Sequence, residues 1–185
     1  MSDDAPSRAN APTPGPDPQA LHSLVNRALA APPGADALDR AAAALAGLTG
    51  SDIALVAVMC EDRMVFVGSH GLSEPWRTLR EAPLSYSFCR HTARLGGLFV
   101  LEDASTHELV RDGVWPSELG VAAYAGTALR QGETVVGSLC LISHRPRAWS
   151  TADLGALQAF AELAEGEVAA RLERCSPPTS TPQQE

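Results

Sequence analysis

The sequence predicts an α+β domain built on antiparallel strands. Three patterns point to it. Ile53 to Cys60 turns back through Met64 to Val67, Val121 to Leu129 turns back through Thr134 to Ile142, and a helical stripe follows Ser150. Hairpins pair antiparallel, and helices that flank hairpins rather than alternate with strands belong to the α+β class. The 185 residues are enough for one domain with tails.

Residues 1–18 hold five prolines, Pro6, Pro12, Pro14, Pro16 and Pro18, and few apolar side chains, so a disordered leader is expected. One domain is expected over 19–174, followed by a disordered tail over 175–185. Leu21, Leu24, Val25, Ala28 and Leu29 recur at helical spacing until Pro32-Pro33-Gly34. Asp36 then caps a helix carrying Leu38, Ala41, Ala42, Leu45 and Leu48, ended by Gly50. Ile53 to Cys60 is apolar on both faces, the pattern of a central strand covered on each side. Glu61-Asp62-Arg63 reads as a turn, and Gly68 to Gly71 as a loop after the returning strand.

The middle is less regular. Ser85 caps a helix over Tyr86 to Leu95, stopped by Gly96-Gly97, and Leu98 to Leu101 is a short strand running into Glu102-Asp103. Thr106 to Asp112 gives one or two helical turns, and Trp115-Pro116 and Gly120 mark a loop. In the second hairpin, across Gln131-Gly132, the first strand carries Ala122, Ala123, Ala125, Gly126 and Ala128. Such small residues leave either close approach of another element or an open space beside the sheet. The last helix has Ser150 as N-cap and Asp153 in its first turn. Leu154, Leu157, Ala161, Ala164, Val168 and Leu172 form its stripe, widened by Phe160 and Leu163. Gly155 and Gly166 weaken it, so it needs a neighbour, either the Leu21 to Leu29 helix or a second subunit.

Composition removes whole classes of function. A net charge of −8 argues against a nucleic-acid surface, which needs a basic footprint. The longest apolar run, Ile53 to Cys60, is far short of the roughly 20 residues of a membrane helix, and no signal segment opens the chain, so a cytoplasmic protein is expected. All fourteen basic residues are arginine. The phosphate-loop lysine, the kinase lysine and Schiff-base chemistry are thereby excluded. Arginine without lysine, with abundant alanine, points to the coding bias of a GC-rich bacterial genome. Cys60, Cys89, Cys140 and Cys175 form no C-x-x-C pair and read as three reduced core thiols and one tail thiol. Gly68-Ser69-His70-Gly71 is not a G-x-S-x-G elbow, and no metal-ligand spacing appears.

Five segments carry a family resemblance. Ser87-Phe88-Cys89-Arg90-His91 resembles the "SFCAH" element of bacterial GAF domains, and Val100-Leu101-Glu102-Asp103-Ala104 resembles their "vVpDa" strand end. Tyr124 to Leu129 is similar to "fYAGaPL", Gly137 to Ile142 to "GtLCviD", and Arg145-Pro146-Arg147-Ala148-Trp149-Ser150 to the "rPRals" before the last helix. Their order and spacing also fit. The resemblance implies a six-stranded antiparallel sheet with terminal helices on one face and, on the other, a small-molecule pocket closed by short helices and loops. It also implies a homodimer through the 151–174 helix and a signalling partner protein. The sequence departs from the pattern at Ala123, Ala128, Ser143 and Ser105 to Val110, so it leaves the ligand and any cofactor unknown.

Phe88, Cys89, His91, Asp103, Trp115 and Tyr124 are the pocket candidates. Cys89 and His91, two apart on a helix, diverge and do not make a metal site, and Arg90 separates the Cys and His that bilin attachment keeps adjacent. Glu102 and Asp103 read as turn or cap groups, and Trp115 and Tyr124 equally fit as core aromatics. No catalytic residue is assigned. The expected function is a non-enzymatic ligand sensor. The alternatives are a ligand-free dimerisation scaffold and a thiol oxidoreductase similar to free methionine-R-sulfoxide reductase, for which Cys89 would need to be exposed and within disulfide reach of Cys60 or Cys140.

Overall fold

The computed structural model describes residues 26, 34, 36–84, 88–107 and 120–175, with the backbone alone for 173–175. The leader, the Leu21 to Leu29 helix apart from helical Asn26, Ser85, residues 108–119 and the tail beyond Cys175 lie outside the described residues.

Helix α1 spans Ala37–Thr49 and begins where the sequence places it, with the Asp36 carboxylate accepting from the Leu38 N–H at 2.8 Å. Strand β1 (Ile53–Met59) is buried along nearly all its length, and β2 (Arg63–His70) returns beside it. A short helix α2 (Trp76–Leu79) leads into β3 (Glu81–Pro83). Helix α3 (Phe88–Leu95), β4 (Phe99–Leu101) and a 3-10 turn (Ala104–Thr106) follow. Strands β5 (Ala123–Gln131) and β6 (Thr134–Ser143) form the second hairpin, and α4 (Thr151–Cys175) closes the chain. The six strands make one antiparallel sheet in the order β3-β2-β1-β6-β5-β4.

The sheet separates two cores. On one face, Leu38, Ala42 and Leu45 of α1 and Leu157, Ala161, Ala164, Val168 and Leu172 of α4 pack on Val56, Val58, Ala123, Ala125, Leu139 and Leu141. On the other, Phe88 and Cys89 of α3, Phe99 and Leu101 cover Leu55, Phe66, Tyr124, Cys140 and Ile142. Alternation along each strand sends neighbouring side chains to opposite faces. Burial of these side chains contributes about 1.5–3 kcal/mol for each large one.

Polar contacts fix the helices on the sheet. At the start of α4, Ser150 Oγ accepts from the Asp153 N–H at 3.1 Å and Asp153 accepts from the Ser150 N–H at 3.0 Å, a reciprocal cap. Arg147 donates to the last carbonyl of α1, Thr49 O, at 3.0 Å and to Asp153 at 3.0 Å, so one guanidinium joins the end of α1 to the start of α4. Arg171 forks onto the two Asp36 oxygens at 2.7 and 2.8 Å, joining the far end of α4 to the start of α1. Burial alone would raise the Asp36 carboxyl, but Arg171 and the Leu38 N–H outweigh it and hold the group below its ordinary value.

Several expectations are corrected. Gly68, Ser69 and His70 belong to β2 and not to a loop. A Cβ on Gly68 would sit 2.6 Å from that of Leu38, so the glycine is there to let α1 lie on the strand. The sixth strand, β3, has no counterpart in the sequence reading. The β5–β6 turn is Gly132-Glu133, one residue later than expected. A 3-10 turn over Ala104–Thr106, capped by Asp103, precedes the segment expected to be helical, of which residues 108–112 lie outside the described residues. Leu163 and Leu48 point outward, at 67% and 68% exposure, because Leu157, Ala164 and Val168, and Leu38, Ala42 and Leu45, already occupy the buried arcs. Among the described elements α4 packs on α1, β5 and β6, while the Leu21 to Leu29 helix expected to support it lies outside the described residues. Cys60 is half-buried past the end of β1, and α4 runs as far as Cys175.

Candidate functional site

The site is the aromatic cluster beneath α3. Tyr124 is wholly buried on β5 and Phe88 stacks on it, with centroids 5.2 Å apart and planes 25° apart. Phe99 of β4 tilts against Tyr124 at 5.8 Å. The ring lies along its own strand over Gly126, where a Cβ would come within 2.7 Å of Tyr124 Cζ. The small residues of β5 are therefore covered on both sides, Gly126 by this ring and Ala123 and Ala125 by the helix-face core. The Thr92 hydroxyl donates to the Phe88 carbonyl at 3.4 Å, which leaves the Tyr124 phenol to donate to Thr92 at 2.7 Å.

Two thiols sit beside this phenol. Cys89 Sγ, on α3, lies 3.6 Å from Cys140 Sγ on β6, and both are buried reduced cysteines. The hydrogen bond to Cys89 and burial push the Cys140 thiol well up, while burial and then the neighbouring thiols push the Tyr124 phenol up. Both groups are neutral at physiological pH.

His91 leaves α3 in another direction, half-buried, with its ring 6.2 Å from Phe99. Burial lowers its pKa, and Arg90, Arg94 and His107 lower it further. His107 meets Phe99 edge-on at 5.8 Å, so Phe99 stands between Tyr124 and two imidazoles. Asp103 turns away from the cluster, its Oδ1 accepting from the Ser105 N–H at 2.9 Å and the Ser105 hydroxyl at 2.6 Å. Trp115 lies outside the described residues. Of the six expected residues, the structure thus brings Phe88, Cys89 and Tyr124 together, sets His91 one ring away and places Asp103 elsewhere.

Phe99, Thr92 and His107 are candidate-site residues that the sequence does not single out, and Cys140 is singled out there only as a possible disulfide partner of Cys89. Cys140 was within reach of sequence reasoning, since pairing the hairpin puts it opposite Gly126 and on the face of Tyr124. Among the described residues, no three of His, Cys, Asp and Glu are placed to hold a metal ion. The arrangement offers an apolar wall with neutral hydroxyl and thiol groups and an imidazole rim.

A family model described as the GAF domain matches residues 34–168. No curated protein matches the sequence. The fold is similar to the GAF domain of an Acinetobacter phosphoenolpyruvate-protein phosphotransferase, with TM-score 0.65 and 21% identity over 86% of this chain and 95% of that one. It is similar to the corresponding GAF domain from Coxiella burnetii, with TM-score 0.65 and 14% identity over 84% and 94%. It also resembles the free methionine-R-sulfoxide reductase from Neisseria meningitidis, with TM-score 0.61 and 18% identity over 84% and 89%. Among the described residues, no helix is long and apolar enough to cross a membrane.

Proposed function

The chain belongs to the GAF domain family, and from that premise we propose that it is a non-enzymatic sensory module. It takes a small molecule on the α3 face of its sheet and relays that state through α1 and α4 to a signalling partner. The observation that carries this reading is that β5 serves both cores. Tyr124 lies in the aromatic cluster, while Ala123 and Ala125 pack in the helix-face core with α4. A ligand that displaces the Tyr124 ring moves the strand on which α4 rests. It does so only through different affinities for the two arrangements.

Phe88, Cys89, His91, Tyr124 and Trp115 are the proposed contacts, with Asp103 fixing the turn at the rim. The module works in the cytoplasm, which keeps Cys60, Cys89 and Cys140 reduced. It acts as a homodimer through α4, whose outer face exposes Ala152, Ala159, Leu163 and Gly166. A second reading, a scaffold with no ligand, is favoured by the complete burial of Tyr124.

Native mass spectrometry of the protein purified from its own cells tests the proposal. A small-molecule mass that travels with the chain, and is lost in Tyr124→Ala, is the expected result. A bare chain from every growth condition would overturn it in favour of the scaffold.

A further inference from the structure

We propose that Cys89 and Cys140 are an oxidation site, at which a hydroperoxide converts the two thiols into a disulfide that ties α3 to the centre of the sheet. The inference does not depend on a ligand. It rests on geometry: the sulfurs are 3.6 Å apart, one on the element that covers the cluster and the other on β6, between β1 and β5. A disulfide needs about 2.05 Å. The remaining gap, about 1.5 Å by difference, is within the reach of side-chain rotation and a small slide of one short helix. Cys140 occupies the sheet row Leu55–Cys140–Gly126, on the face that α3 covers.

The chemistry balances with the hydroperoxide as the only co-reactant. Cys89 is on the outer element, and its sulfur attacks the O–O bond. A sulfenic acid forms on Cys89, and the other peroxide oxygen leaves with the thiol proton as alcohol, or as water from hydrogen peroxide. The Cys140 sulfur then displaces the hydroxyl from Cys89, its own proton leaving with that oxygen as water. Two electrons pass from the sulfurs to the peroxide. Burial of both thiols makes the reaction slow in the closed fold and faster when α3 lifts.

The bond would register on Tyr124. Phe88, next to Cys89, stacks on that ring, and Thr92, on the same helix, takes its phenol hydrogen bond. Drawing Cys89 inward therefore shifts both partners of the tyrosine. Oxidation and occupancy of the aromatic cluster would then act on one residue.

The test uses the full chain carrying Cys60→Ser and Cys175→Ser, which leaves the two thiols in question. The folded protein is treated with hydrogen peroxide, quenched, unfolded and alkylated. The expected result is loss of both alkylatable thiols, an intact mass lower by two hydrogens, restoration by dithiothreitol, and a change in the near-ultraviolet circular dichroism of tyrosine. Adding Cys140→Ser should replace the loss of hydrogens by gain of oxygen. Peptide mapping of the peroxide-treated unsubstituted chain gives the same answer without any substitution. Two thiols still alkylatable, oxygen added to each without a bond, or a disulfide seen only after unfolding would each overturn the proposal.

Discussion

Arg80 and Asp39 face each other through two parallel hydrogen bonds, Nη2 to Oδ1 at 2.8 Å and Nη1 to Oδ2 at 3.1 Å, with both side chains removed from water. Asp39 also accepts from the Ser69 and Gly34 N–H groups, at 2.7 and 3.0 Å, and Arg80 Nε donates to the Phe66 carbonyl at 3.2 Å. The pair thus pins α1 to β2 and to the bend before β3. Removing one partner leaves a buried charge alone. Arg80→Met should cost about 3–5 kcal/mol in urea unfolding, and Asp39→Leu on that background should recover part of the loss. A double variant no more stable than the single one would contradict this.

The Asp36–Arg171 pair should make the joint between α1 and α4 acid-sensitive. The folded Asp36 carboxyl lies below its ordinary value, so it binds its proton less readily than in the unfolded chain. Its contribution is complete above the ordinary carboxylate range and disappears as pH falls through that range towards the folded value. The difference in urea midpoint between the unsubstituted chain and Asp36→Asn should be constant from neutral pH to about pH 5 and should shrink below about pH 4. Asp36→Asn should be less stable at neutral pH and show a shallower acid decline.

Gly126→Ala should drive a methyl into the Tyr124 ring and destabilise by about 1–3 kcal/mol. The combination with Tyr124→Ala should cost less than the sum of the two single substitutions, because the clash then has no target. Full additivity in denaturant unfolding would contradict the contact.

Much of the fold was legible in the sequence. The run Ile53 to Met59 has no polar face, and β1 is indeed flanked by β2 and β6. Ser150 and Asp153 marked the start of α4, and Asp36 the start of α1. Strand β3 was not legible, since three residues ending in Pro83 carry no period. The burial of Asp39 was hidden as well. An acidic residue in a first turn reads as a partner of the helix dipole, and its arginine lies 41 residues away. The Cys89–Cys140 contact depends on the register of β6 and on how α3 lies across it, which no local pattern encodes.

Leu163→Glu should leave the fold intact, because that side chain is mostly exposed, and should dissociate the proposed α4 dimer. Sedimentation velocity should show a dimer for the unsubstituted chain and a monomer for the variant. A monomer in both would remove the dimer from the account.

In the proposed function the signal passes from the aromatic cluster to α4 through β5. Hydrogen exchange in Phe88→Ala tests it without knowledge of the ligand, since this change removes the ring stacked on Tyr124. Exchange should become faster along β5 and in the turns of α4 bearing Leu157, Ala161 and Ala164, as well as in α3. Faster exchange confined to α3 and β4, with α4 unchanged, would contradict it.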